Sequence, residues 1–187
     1  MTQKKRSIFK EFKDLMKTAI ISVVVVFAMT KLVIKPIEIE GMSMQPTLLN
    51  KQRGFSNILA HKITPIKRFD IVIIYDAIDR DYFVKRVVGL ENEVIEFRND
   101  VLYVNGEAID QPFLDENYVM LTTNDHQFLF TKDFGPVKVK PNHVFVLGDN
   151  RLNSTDSRVR GAYPVKNIIS KHIYIVYPFN QMRFYHN

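Results

Sequence analysis

Residues Thr18 to Ile34 read TAIISVVVVFAMTKLVI, an apolar run with one interruption, Lys31. Beyond it the chain breaks into short apolar or alternating runs closed by Gly, Pro, Asn or Asp, the texture of strands and turns. Pro36-Ile37-Glu38-Ile39-Glu40 alternates as an edge strand would. A loop is expected over residues 50–62, rich in Lys, Asn and His. Phe69–Tyr75 is almost wholly apolar and predicts a buried strand, and the polar turn Asp76–Asp81 leads into Tyr82–Val88, making an antiparallel hairpin. Val94–Phe97 and Val101–Val104 flank Asn99-Asp100, and Asn105-Gly106 follows, a dipeptide suited to two-residue hairpin turns. From Gln111 to about Lys138, Phe and Leu are scattered among charges with Pro112, Gly135 and Pro136; a smaller inserted lobe or excursion is expected over about 105–143. Val144–Leu147 resumes the core and Ile168–Tyr177 closes the sheet. The predicted fold class is mainly β: an antiparallel β-sheet domain over 36–187 with that smaller lobe, preceded by one N-terminal transmembrane helix.

The apolar run of 17 residues is at the low end for a bilayer span. Lys31 and Lys35 stand near its outer end, where long stems can snorkel. A cleaved signal peptide shares this layout but wants small residues at its cut site, and Ala28-Met29-Thr30 is a poor match. Charge sets the orientation. Residues 1–35 hold eight Lys/Arg against Glu11 and Asp14, and so carry the whole formal charge of +6. Six of those cations precede the run, which predicts a cytoplasmic tail over 1–17, an anchor over 18–35 and an extracytoplasmic domain over 36–187. The globular part is neutral, so nucleic acid is not an expected partner. With no cysteine there is no disulfide or thiolate chemistry. The five histidines lack metal-ligand spacing, and no metal or cofactor is expected.

Candidate chemistry begins at Gly41-Met42-Ser43-Met44-Gln45-Pro46-Thr47-Leu48, where Gly41 permits torsions closed to other residues and Pro46 limits the exit. A serine hydroxyl needs a base to become a nucleophile. No GxSxG elbow is present. A buried, neutral lysine can serve. On a strand, Phe83, Lys85 and Val87 share one face and Val84, Arg86 and Val88 the other. Lys85, between an aromatic and a β-branched residue, is well placed for desolvation. The plainer alternatives are that Ser43 merely caps a turn, and that Lys85 snorkels out while Arg86 lies inside. A third stretch, Gly148 to Arg158, packs Asp149, Asn150, Ser154, Asp156 and Arg158 behind an apolar strand. It reads either as a solvated loop with a local Asp–Arg pair or as support for a catalytic lysine.

Three stretches in order, 41–48, Phe-Val-Lys-Arg-Val-Val-Gly (83–89) and Gly-Asp-Asn-Arg-Leu-Asn-Ser-Thr-Asp-Ser-Arg (148–158), resemble the signature boxes of the type I signal peptidases. That resemblance implies a membrane-anchored serine endopeptidase that cuts signal peptides from exported preproteins carrying small residues at positions −3 and −1. Its implied partners are those preproteins and membrane lipid, with the export channel as a candidate. Ser43 would be the nucleophile and Lys85 the general base. Ser154 would hydrogen-bond the Lys85 amine, and Asp149, Asp156 and Arg158 would support it, with Gly41 and Met44 flanking the nucleophile. Where relatives from bacteria with outer membranes carry a hydroxyl two residues before the nucleophile, this chain has Gly41, leaving main-chain donors for the oxyanion. Phe69 stands where the family usually has Gly, and Glu91-Asn92-Glu93 replaces a common Pro-Gly-Asp. Two other readings share these boxes in part. A non-catalytic or specialised signal-peptidase-like factor in surface-structure assembly would keep the fold but lose the dyad. A self-cleaving repressor would carry a soluble DNA-binding domain in front.

Overall fold

The computed structural model describes residues 2–185; the side chains of residues 2–8, 31 and 32, Lys4, Lys5, Arg6 and Lys31 among them, and all of His186, lie outside what it describes. Helix α1 (Thr2–Leu32) leads into β1 (Ile34–Glu38), β2 (Arg53–Asn57) and a single helical turn, α2 (Ala60–Ile63). The central hairpin is β3 (Ile71–Asp76) and β4 (Asp81–Gly89). Next come β5 (Val94–Arg98), β6 (Val101–Val104), β7 (Glu107–Ile109), α3 (Glu116–Thr122) and β8 (Phe134–Lys138). The chain ends with β9 (His143–Leu147), α4 (Ser157–Arg160), β10 (Tyr163–Pro164), β11 (Ile168–Tyr177) and β12 (Arg183–Tyr185).

Eight strands form one sheet, in the order β1-β2-β11-β3-β4-β9-β10 with β12 on β11; four form a second, β7-β6-β5-β8. Every pairing is antiparallel. The second sheet is wider than the lobe expected over 105–143, because Val94–Val104 pairs with it rather than with the main sheet. Its turns obey local chemistry: Asn99, Asp100, Asn105 and Gly106 all take positive φ, which the two-residue hairpin turns demand.

Three apolar clusters hold the sheets. Val72, Val87 and Val146 are fully buried in one, and Phe97, Leu102 and Phe145 in a second that joins the two sheets. Burying such a side chain stabilises by roughly 1.5–3 kcal/mol. The third cluster, Ile39, Met44, Leu48, Ile71, Ile173 and Ile175, lies beneath the 41–48 loop.

Two expectations need correction. Residues 50–62 are not all loop: 53–57 form β2, between β1 and β11, where Ser56 donates to Ser170 at 2.7 Å inside the sheet. Such a strand holds polar and small residues, so no apolar alternation marks it. The transmembrane helix expected over 18–35 is helical only to Leu32, and residues 34 and 35 open β1. Among the described residues no helix is long and apolar enough to cross a membrane. Lys17 and Lys31 bracket only 13 uncharged residues, about 20 Å of helix against a hydrocarbon core of about 30 Å.

Candidate active site

Ser43 sits in the turn between β1 and β2. Gly41 enters that turn at φ +87°, left-handed torsion that suits glycine, and donates its N–H to Asn50 Oδ1 at 3.1 Å. Met44 and Leu48 plug the third cluster and fix the loop from below. Asn150 fixes it from the side: its N–H donates to Ser43 O at 3.0 Å and its amide nitrogen to Met42 O at 3.2 Å. Gly148 makes this approach possible. A Cβ there would stand 2.4 Å from Ser43 O and 2.3 Å from Ser154 Oγ, so only glycine fits.

Lys85 Nζ donates to Ser43 Oγ at 2.7 Å. The lysine is 4% exposed and its amine lies 5.5 Å from the centre of the Phe83 ring. Burial pulls its pKa down to about 8; Asp156 and Asp149 oppose that shift, and Arg158 and Arg160 reinforce it. Arg86 is buried as well, so neither residue snorkels. Its guanidinium grips Asp149 bidentately, Nε to Oδ1 at 2.8 Å and Nη2 to Oδ2 at 2.6 Å, and donates to Phe69 O at 3.0 Å. The Thr47 hydroxyl donates to the same Asp149 Oδ2, which ties the serine loop to β4.

Asp156 caps α4 and accepts from Gly148 N–H and from Arg158, Nε at 2.9 Å and Nη2 at 2.8 Å. Burial works to raise its pKa, but the Arg158 bonds and charge, with Gly148 N–H and Ser154, outweigh it and hold the carboxyl below its usual range. Ser154 Oγ is buried and makes no hydrogen bond of good geometry; the structure brings it to the cluster but not onto the Lys85 amine. The sequence reading gave no role to Thr47, Asn150 or Arg151 and did not foresee Arg86's pairing with Asp149. Arg151, buried, links the turn after β9 to the excursion between β7 and β8 by donating to Gly148 O, Thr131 Oγ1 and Gln111 Oε1. All four sit inside the motif stretches and could have been singled out there as polar residues next to apolar positions.

Two departures from the family pattern have local explanations. Phe69 holds φ +71°, the region that glycine fills more cheaply. In the 91–93 turn Asn92 takes φ +68°, Glu93 accepts from Leu90 N–H and pairs bidentately with Arg68, and Glu91 accepts from Asn142 N–H.

A cleft of about 320 Å³ opens beside Ser43 and Lys85, walled by residues 35–41 on one side and 81–85 on the other. β1 is the last strand of its sheet, and β4 over 81–85 pairs only with β3, so both walls present unpaired strand edges.

Residues 12–177 match the family model described as signal peptidase, peptidase S26. The chain is 39% identical over 175 residues to signal peptidase I S of Bacillus subtilis (strain 168), covering 93% of this chain and 94% of that protein. It is 36% identical over 171 residues to signal peptidase I of Bacillus amyloliquefaciens, covering 91% of this chain and 90% of the relative. The crystal structure of a signal peptidase I from Enterococcus faecalis V583 superposes with a TM-score of 0.50 at 28% identity, over 58% of this chain and 97% of that one.

Proposed function

The chain belongs to the S26 family of signal peptidases and is a serine peptidase that removes signal peptides, and we propose that it does so with Ser43 as nucleophile and Lys85 as general base. The observation that carries this reading is the 2.7 Å contact between a half-buried serine hydroxyl and a buried lysine whose pKa is near 8. At pH 7.5 such a lysine is neutral in about a quarter of molecules, against about one in a thousand for a solvated one. Ser43 Oγ attacks the scissile carbonyl and gives its proton to Lys85 Nζ. The C–N bond breaks as the departing amine takes that proton. Lys85 then accepts a proton from the water that attacks the acyl-enzyme, the acyl C–Oγ bond breaks, and Lys85 returns the proton to Ser43 Oγ, which frees the carboxyl product. Main-chain N–H groups, Ser43's first, meet the oxyanion, since Gly41 has no hydroxyl to offer. Ser154 orients the amine when Lys85 turns from Ser43 to the water. With both members of the pair retained, the non-catalytic alternative has nothing in its favour.

The substrate is an extended peptide laid between the two free strand edges of the cleft, hydrogen-bonding along its backbone. Side chains two apart on such a strand point the same way. A cleft of about 320 Å³ therefore favours small residues at both −1 and −3 of exported preproteins. The purified protein, incubated with such a preprotein, is expected to cut after the small residue at −1, located by mass spectrometry. In the same assay kcat/KM should rise with pH through an apparent pKa near 8, as Lys85 loses its proton. A limb at the solvated lysine value would remove Lys85 as the base.

We further propose that α1 attaches the domain to a membrane surface. In support, Val23, Val24, Val25 and Val26 follow one another round the helix and each is more than half exposed among the described residues. Lys17, exposed at the start of that apolar stretch, can snorkel to the lipid headgroups. Removing residues 1–33 should release the protein from the membrane fraction of cells, while the full chain stays there through a carbonate wash.

A further inference from the structure

The family match ends at residue 177, yet the next eight residues reach back to the serine loop. After β11 the segment Pro178–Gln181 turns the chain, with Gln181 N–H donating to Pro178 O at 2.9 Å. β12 then runs antiparallel along β11, in the register Ile173 to Tyr185, Tyr174 to Phe184 and Ile175 to Arg183. Two side chains of this return segment bind the 39–52 loop. Tyr185 donates its hydroxyl to Thr47 O at 2.7 Å, and its ring packs on the cluster that holds Met44 and Leu48. Gln181 Oε1 accepts from Gln52 Nε2 at 2.8 Å. Gln52 is 3% exposed and closes the base of the loop: its carbonyl accepts from Ile39 N–H and its side-chain oxygen from Leu49 N–H. Thr47 is the residue that also donates to Asp149, so its hydroxyl is committed to the loop after β9 and its carbonyl to β12.

We propose that the C-terminal turn and strand, residues 178–185, brace the serine loop, with Tyr185 as a positioning residue for Ser43. This rests on Ser43 being the nucleophile. The logic is geometric. Ser43 must lie within hydrogen-bond reach of an amine fixed on a strand, and a displacement of an ångström at the loop breaks that contact. None of residues 178–185 lines the substrate cleft, so the brace acts on the chemical step and not on substrate docking. Burial raises the Tyr185 phenol, which keeps it protonated and a donor throughout the working range.

The test is steady-state kinetics on a short signal-peptide substrate for the full chain carrying Tyr185→Phe, Gln181→Ala, or both. Phenylalanine keeps the ring and the strand pairing and removes one O–H, so the fold should persist; circular dichroism at the assay temperature checks this. For Tyr185→Phe we expect kcat to fall about tenfold with KM within about twofold of the parent, consistent with one lost hydrogen bond. Gln181→Ala should fall less and the double variant more. The rising limb of kcat/KM should also move to higher pH, because a looser loop admits water to Lys85. A parental kcat, a change confined to KM, or a rate loss equal to the loss of folded protein would each overturn the brace. Ser43→Ala run alongside separates the two ideas: if it still cleaves, the nucleophile assignment fails, whatever Tyr185 does.

Discussion

Ser43→Ala and Lys85→Met each reduce signal-peptide cleavage by at least about 10⁴-fold, and the double variant is little worse, because nucleophile and base act as one unit. Lys85→Arg is also inactive, since a guanidinium stays protonated at any working pH. The lysine variant carries a second, opposite effect. The Lys85 pKa is near 8 in the folded chain, against an ordinary value of 10.5. Its folded pKa is therefore depressed, and between those values the unfolded state binds more protons. Below about pH 8 the folded protein bears the full cost of a buried ammonium, about 3 kcal/mol. That cost fades as pH rises toward the unfolded value. Lys85→Met should accordingly melt higher than the parent at pH 7, by roughly 6–12 °C for a chain of this size. The gap should close by about pH 10. Thermal denaturation at the two pH values measures it. Equal melting temperatures at pH 7 would mean that the lysine is well solvated, and an inactive variant would then need another explanation. A site that is dead and more stable is the signature of a strained functional group.

Much of this was legible along the chain because strand period is a strong local signal. Ile168–Tyr177 and Val101–Val104 emerge with the predicted bounds, and Phe83, Lys85 and Val87 share one face. The hairpin turns were readable from Asn and Gly. What could not be read were elements whose partners lie far away in sequence. β2 is polar and small because Ser56 meets Ser170 across the sheet, a contact 114 residues apart. β12 is three residues long and owes its existence to β11. The alternation argument also posed Lys85 and Arg86 as rivals for the interior. It could not foresee that both faces of β4 are covered, one by the serine loop's contact and the other by Asp149. The helix expected over 18–35 was read from a 17-residue apolar run with Lys31 counted as able to snorkel, and with Lys31 counted as a charge the uncharged stretch shrinks to 13 residues.

The pair behind the site should matter for stability more than any contact at its surface. Arg86 and Asp149 have side chains 7% and 1% exposed, joined by two hydrogen bonds, and Asp149 also takes the Thr47 hydroxyl. Asp149→Ala leaves a guanidinium buried against the Phe113 ring, 4.0 Å from its centre, with only Phe69 O to receive it. Removing one partner of a buried pair costs about 3–5 kcal/mol, because the other charge stays desolvated. For a chain of this length that lowers the melting temperature by roughly 6–20 °C. Removing both, as Arg86→Met with Asp149→Leu, should restore much of the loss, since two apolar side chains of similar volume carry no stranded charge. Activity should not return with stability. The double variant still lacks the acceptor that holds Thr47, and Ser43 shares its loop, so kcat is expected to stay well below the parent's at a temperature where the protein is folded. Thermal denaturation of the single and double variants, with kcat measured beside it, makes the test. A double variant as unstable as Asp149→Ala would mean that the pair holds a loop in place and not merely a charge. One with parental kcat would detach Asp149 from the serine loop.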